Sequence, residues 1–517
     1  MLIQARTGAS DRARAGRWLR FTPEARIVVA LTIVAAVLRF ATIAHQSYWV
    51  DESQAAHELG LSFGSMLSAW NRAEWNPPLY LLVAWPWARV FGTGEAGLRS
   101  LSALLGTGLV PLLYLCGREL VSRRAGVVAA ALATVSPFMI WYSQEAREYM
   151  LLVALCAGSL LFFARAWRSG ARGAPAPRRA LVWWAVLSAL ALATQYFAGF
   201  LIAAEGALLL WRLRDRAVAC ACALQFVVLA PLIPHVLPRL SQPSTFITAI
   251  PLVRRVQQVP VTFALGLNGL ESSTGAAYGL LGAAALVAAV IALLVGGTSA
   301  RALRGAGLVA GLAAFVLLVP LLLALLGHDD YIARGLMPAW PPLAVVIGAA
   351  CAARGARRAG AALAVVLLAL FIYGQAEIQS SARYQRPDWR GVAAALGPAP
   401  PGARAIAAYP GQFATGPLSV YLGGVPWSGP GESASAAGPA PRTVSELDVV
   451  GSVPQGPPAL LGGIRLISGR VVDAHQVDRF ALPAPRPISV AQAQQLAIAL
   501  LPAGGRMPTI VFQRGSA

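Results

Sequence analysis

The chain has 517 residues, 57% of them hydrophobic and only 12% charged, with a mean hydropathy of +0.61. That composition excludes a soluble globular domain and calls for lipid as the solvent of much of the surface. Formal net charge is +20, yet no Lys occurs and the Arg residues gather in short segments between apolar runs, which points to membrane anchoring and away from nucleic acid.

The first 26 residues carry Arg6, Arg12, Arg14, Arg17, Arg20 and Arg26 ahead of the first apolar run, Ile27 to Ala44. This reads as a signal anchor with a cytoplasmic start, a cleaved signal peptide ending near Ala44 being the alternative. The runs Leu98 to Cys116, Gly126 to Ile140, Met150 to Ala164 and several later ones are long enough, or nearly so, to cross a bilayer. Pro77 to Phe91 is short, Trp-rich and interrupted by Pro77, Pro78, Pro86 and Arg89, so it predicts an interfacial or re-entrant helix. With that choice the Arg-rich segments Arg118 to Arg124, Arg165 to Arg179, Arg212 to Arg216, Arg301 to Arg304 and Arg354 to Arg358 all fall inside. The pattern predicts an α-helical polytopic membrane protein with about eleven transmembrane helices. Residues 1–26 form its cytoplasmic basic N-terminus and 27–373 its membrane domain, with external loops 45–97, 141–149, 234–274 and 328–335. The odd number of crossings leaves residues 374–517 outside.

That last segment is rich in Gly, Pro and Ala and has no span-length apolar run. Asp388 opens a short helix to Leu396 with Gly397 as its stop, and Ser489 with Gln492 forms a capping box ahead of a helix ending near Leu501. Strand-like runs at Arg404 to Tyr409, Ile464 to Ser468 and Thr509 to Gln513 predict a small α/β domain, with Ser428 to Arg442 loop-like or disordered. Cys116, Cys156, Cys220, Cys222 and Cys351 lie in or at the ends of apolar runs and imply neither a disulfide framework nor a metal cluster.

Within residues 27–373 most acidic and His residues sit in three loops. The first offers His45, Tyr48, Asp51, Glu52, His57, Glu74 and Asn76; the second is Ser143 to Tyr149; the third holds His328, Asp329, Asp330, Tyr331 and Arg334. Ionisable residues at membrane boundaries mark a site when they face the bundle interior, whereas taken singly each is more often a solvated loop residue. Trp49, Trp75, Trp85 and Trp87 fit an aromatic belt as well as a sugar-stacking platform. His235 and His328 lack the paired spacing of metal ligands and read as loop histidines.

The ordered series Tyr48-Trp49-Val50-Asp51-Glu52, Asn76-Pro77-Pro78-Leu79-Tyr80, Phe91-Gly92 through Leu98-Arg99, and Ser136-Pro137 with Tyr142 through Tyr149 resembles the family 39 type of polyprenyl-phosphate-dependent glycosyltransferases. These are similar to protein O-mannosyltransferases and lipid A aminoarabinose transferases. Tyr331 through Arg334, Met337-Pro338 and the stretch Arg386-Pro387-Asp388-Trp389-Arg390-Gly391 also look like bacterial members. The resemblance covers the chain from about Arg17 to Leu396 and implies a GT-C fold whose first external loop carries the catalytic acid. It implies an inverting enzyme of the cytoplasmic (inner) membrane that moves one sugar from a polyprenyl-phosphate donor to an envelope glycan, glycolipid or protein.

In that chemistry a base takes the acceptor's proton while cations steady the departing lipid phosphate. The resemblance makes Asp51 the base and Glu52 its partner. Arg334 or Arg147 contacts the phosphate, and Glu145, Tyr149, Tyr331 and Asn76 line the substrate. Gln144-Glu145 falls in the loop where relatives often carry a second acidic residue, with Gln in the first place here. No cofactor is expected; a divalent metal, if used, would find oxygen ligands in Asp51, Glu145 and Asp329. The alternative functions are a transporter or flippase, which also buries charge among helices, and a noncatalytic scaffold.

Overall fold

A computed structural model describes residues 22–171, 178–240, 245–266, 273–409, 411–427, 441–452, 462–500 and 507–515. Apolar runs that must satisfy their own backbone in lipid become helices. In chain order these begin with α1 (Pro23–Phe40), α2 (Val50–Gly60), α3 (Phe63–Ala73), α4 (Leu79–Phe91), α5 (Glu95–Leu120), α6 (Arg123–Val135) and α7 (Pro137–Ser143). There follow α8 (Tyr149–Ala171), α9 (Arg178–Leu192), α10 (Ala198–Leu213), α11 (Arg216–Leu229), α12 (Ile233–Leu240), α13 (Thr245–Thr248) and α14 (Leu252–Leu265). The last of the bundle are α15 (Ser273–Gly297), α16 (Ala300–Leu325), α17 (Trp340–Cys351) and α18 (Arg357–Ser380).

Among the described residues five helices are long and apolar enough to cross a membrane: α5, Tyr149–Ser169 of α8, Arg216–His235 through α11, α16 and α18. The pair α6 and α7, bent by 58°, makes a sixth. The chain is a multi-pass membrane protein. The other runs expected to span are held by α1, α9, α10, α15 and α17, which are shorter or more charged in their described parts. Ile33, Val37, Phe226, Leu318 and Val365 are exposed on these helices, as lipid-facing side chains are. The Pro-interrupted run forms α4, a 13-residue apolar helix. The last apolar helix continues to Ser380, past the expected boundary near 373. All five cysteines are free.

The break between α6 and α7 positions one of the loops of interest. Pro137 has no N–H to continue α6, and Ser136 caps the new helix by accepting from the Met139 amide. The carbonyls left over at the end of α6 are met by Arg39, fully buried on α1, which donates to Ala133 at 2.8 Å and Thr134 at 3.2 Å, and to Ser143 Oγ at 3.0 Å. A guanidinium at a helix C-terminus also opposes the negative end of its dipole. Gln144 then donates to the backbone of Leu38 and Arg39 and to Thr42, so the loop after α7 is tied to the end of α1.

The C-terminal segment folds as a mixed five-stranded sheet in the order β3-β4-β2-β1-β5, with β1 (Ala403–Ala408), β2 (Arg442–Ser452), β3 (Arg465–Val472), β4 (His475–Ile488) and β5 (Thr509–Gln513). Only the pairing of β1 with β2 is parallel. Both faces are covered, so β1 is apolar apart from Arg404, which is buried and donates to Gln513 and Asp448. Ala405 and Ala407 pack toward α21 (Val490–Leu500), while Ile406 and Ala408 pack toward α19 (Trp389–Leu396) and α20 (Gly411–Tyr421). Asp388 caps α19 through the Gly391 amide, and Ser489 and Gln492 form the reciprocal capping box of α21. The helix α20 and strands β2 and β4 were not foreseen. Residues 428–440 of the segment expected to be loop-like lie outside the described residues, and Arg442 opens β2.

Candidate active site

The end of the bundle carrying α2, α3, α4 and the 144–148 loop also carries the sheet domain, and buried ion pairs hold them together. Glu52 is fully buried in the first turn of α2. Arg99 of α5 grips it with two N–H···O bonds of 2.7 Å, the Ala146 amide donates at 2.9 Å, and Arg386 approaches at 3.5 Å. Burial would push this carboxyl up, but Arg99, Arg386 and the Ala146 amide outweigh it and hold Glu52 below the usual carboxylate range. Arg99 also donates to the carbonyls of Ile43, Gln46 and Ser47, so the turn between α1 and α2 closes around one guanidinium.

Asp51, the neighbour of Glu52, points into a more open space. It accepts from Arg334 at 3.1 Å, and the two side chains retain 26% and 22% exposure. The Arg334 guanidinium lies 5.9 Å from the centre of the Trp49 ring. Tyr149 is buried at the start of α8, its ring edge-on to Tyr142 at 4.8 Å. Glu145 is 1% exposed and accepts from Arg386 at 3.0 Å; its Oε1 has no hydrogen-bond partner among the described residues, nor has Trp49 Nε1. Burial pushes Glu145 up to about 7, with Arg386 opposing and Glu52 and Asp51 adding to the rise. One guanidinium serving two carboxylates leaves the one without a second cation undercompensated.

A second knot lies beside the first. Arg147 is enclosed by Glu74 at 2.8 Å and Glu148 at 3.0 Å, Asn76 donates to Glu148 at 2.9 Å, and Gln54 donates to both Glu58 and Glu74. His235, expected as a loop histidine, lies in α12, stacks on Trp70 at 4.5 Å and contacts the Glu74 carbonyl. Tyr331 is buried, and its carbonyl accepts from Arg255, whose guanidinium also pairs with Asp329. Asp51, Glu145 and Asp329, the three carboxylates weighed as metal ligands, therefore face three different guanidinium groups. Among the described residues no group of three His, Cys, Asp or Glu side chains is arranged to hold a metal.

The geometry thus brings Asp51, Arg334, Glu145, Tyr149 and Glu52 around one centre and sets Arg147 and Asn76 in the adjoining knot, with Tyr331 by Arg255. Sequence reading did not single out Arg99, Arg255 or Arg386 as site residues. Arg99 and Arg386 stand in the stretches Leu98-Arg99 and Arg386 to Gly391 that carry the family resemblance, whereas Arg255, next to Arg254, has no such signal.

The family model "Dolichyl-phosphate-mannose-protein mannosyltransferase" matches residues 75–237, roughly a third of the chain, a stretch that includes Asn76, Glu145, Arg147 and Tyr149 but not Asp51. No curated protein sequence matches. Among solved structures, ArnT from Cupriavidus metallidurans bound to undecaprenyl phosphate is 16% identical with a TM-score of 0.50, and its apo state is 14% identical with a TM-score of 0.52. Each comparison covers 87% of this chain and 97% of that one. The resemblance to family 39-type lipid-dependent glycosyltransferases is borne out, and the fold is similar to that of ArnT over most of the chain.

Two outcomes are expected. Glu52→Gln breaks a fully buried pair and leaves Arg99 uncompensated, a loss on the order of 3–5 kcal/mol. The melting temperature of the detergent-purified protein should fall sharply, and an unchanged value would remove Glu52 from its central place. Glu145 holds a proton in the folded protein that an unfolded carboxyl near 4.5 releases, so its contribution to stability is full below 4.5 and lost as pH rises through about 7. Glu58 and Asp448, also raised to about 7, act in the same direction. His57 and His475, lowered by burial, act in the opposite direction, so the test is the difference: between pH 5 and pH 8 melting temperature should fall less, or rise more, in Glu145→Gln than in the wild type, and an identical slope would contradict the assignment.

Proposed function

We propose that the chain is an inverting glycosyltransferase that moves a single sugar from a polyprenyl-phosphate donor to an envelope glycan, glycolipid or protein on the outer face of the cytoplasmic membrane. The observation that carries this reading is the Asp51–Arg334 pair, an acid and a cation 3.1 Å apart with part of each still open to solvent. Support comes from the family match over residues 75–237 and from the fold likeness to ArnT, a protein solved with undecaprenyl phosphate. In the proposed topology α1, α5, the α6–α7 pair, α8, α9, α10, α11, α15, α16, α17 and α18 each cross the membrane. Eleven crossings from a cytoplasmic start put both Asp51 and the sheet domain outside.

The acceptor hydroxyl attacks the anomeric carbon on the face opposite the phosphate. The bond from that carbon to the phosphate oxygen breaks, its electron pair leaves with the lipid phosphate, and the hydroxyl proton passes to the Asp51 carboxylate. Arg334 is the better placed of the two cations for the leaving group, because Arg147 is 9% exposed between two carboxylates whereas Arg334 keeps 22% exposure beside Asp51. Its planar fork holds two phosphate oxygens at once. Trp49 Nε1 and Glu145 Oε1, buried beside this pair and without hydrogen-bond partners among the described residues, are candidates to bond the sugar. Glu52 acts through Arg99 and Arg386 as a positioning residue, and Arg147 with Asn76 shapes the wall. The chemistry needs no metal ion, since the charge on the phosphate is met by a guanidinium.

Asp51→Asn keeps the side chain's shape and removes the base, so transfer by the purified protein should drop by on the order of a hundredfold or more with melting temperature unchanged. Arg334→Lys should lose much of the activity and Arg334→Ala nearly all, both with weaker binding of polyprenyl phosphate. Near-normal transfer by Asp51→Asn, or wild-type donor affinity in Arg334→Lys, would sink the corresponding role.

A further inference from the structure

A cavity of about 670 Å³ lies in the sheet domain, away from the Asp51–Arg334 pair. Its walls include Arg390, Tyr421, Gln513 and Arg514, with the backbone of Gly397 and Gly424, and no carboxylate lines it among the described residues. Arg390 has a 47% exposed side chain, and Arg514 is exposed. The floor cannot accept larger residues without rebuilding. Gly397 and Gly424 have φ of +64° and +75°, and a Cβ at the neighbouring Gly515 would lie 2.1 Å from the Gly402 carbonyl oxygen.

Two guanidinium groups, an aromatic ring and glycine backbone make a surface suited to a saccharide that carries negative charge. The cavity is also connected to the first loop. The Tyr421 hydroxyl donates to Glu95 at 2.6 Å and accepts from the Tyr48 amide at 2.7 Å, three residues before Asp51. Arg390 reaches the same Glu95 and the carbonyl of Ala44, near the ends of the spans α1 and α5. A glycan held here lies one hydrogen-bonded residue away from the loop that bears the base.

We propose that this cavity is a binding site for an acidic saccharide, the anionic part of the acceptor. The assignment of an acceptor rests on the glycosyltransferase reading; the affinity for acidic saccharide does not. Arg514 supplies the recognition of charge, and the glycine-lined floor gives the sugar ring close backbone contact.

The test uses the full chain in phosphatidylcholine nanodiscs, with tetragalacturonic acid and neutral maltotetraose as probes in titration calorimetry. The acidic probe should bind at least about tenfold more tightly, with affinity falling as salt rises and falling on the order of tenfold in Arg514→Ala. Arg514→Lys, which keeps the charge and loses the fork, should fall between. Equal affinity for the two probes, or wild-type affinity in Arg514→Ala, would overturn the proposal. So would loss of saccharide binding when phosphatidylglycerol is added to the nanodiscs, which would make the cavity a lipid headgroup site. Asp51→Asn should bind the acidic probe normally: if that variant also keeps transfer activity, the catalytic reading fails while the saccharide site stands.

Discussion

Everything at the functional end of this protein depends on the Glu52 carboxylate being buried and fully bonded. Its two oxygens collect Arg99 from a membrane helix, the Ala146 amide from the loop after α7, and Arg386 from the segment that follows the last long helix. A carboxylate without water is expensive unless each lone pair is used, so the three segments are obliged to meet there. Asp51 is the adjacent residue, one position along α2, and inherits its placement from that anchor.

The sheet domain belongs to the same construction. Ser47 donates to the Pro387 carbonyl and accepts from the Trp389 amide, while Gly416 of α20 comes so close to α2 that a Cβ there would lie 2.7 Å from Ser53 Oγ. His57 of α2 stacks on Trp427 at 4.2 Å with the rings 4° from parallel. The helix bearing Asp51 is therefore held between the membrane helices on one side and the domain on the other. On the opposite flank, Arg39 steadies the broken span that delivers Glu145.

What could be read from the sequence was what is local. The Asp388 cap, the Ser489–Gln492 box and the strand Thr509–Gln513 depend on neighbouring residues and came out at their expected positions. β2 and β4 pair along most of their length, yet their sequences include Gly451, Pro483, Pro485 and Pro487, which hide a strand until its partner is known. The site divides in the same way. Asp51, Glu145 and Arg334 stood out as candidates because charge at a membrane boundary is rare, whereas the charge balance was not legible: Glu52 finds Arg99 47 residues on, and Glu145 finds Arg386 241 residues on. Periodicity carries no record of such pairs. The consequence is a shift of emphasis for Glu52, from partner in the reaction to keystone of the loop that presents Asp51.

In the proposed reaction the leaving group is a lipid monophosphate received by Arg334 as Asp51 takes the acceptor's proton. Mass spectrometry of polyprenyl lipids from cells with and without the gene tests it most directly. The expected result is accumulation of a polyprenyl monophosphate sugar in cells lacking the gene, reversed by the wild-type chain and not by Asp51→Asn. An unchanged lipid-linked sugar pool, or accumulation of a pyrophosphate-linked glycan in its place, would contradict transfer from a lipid monophosphate.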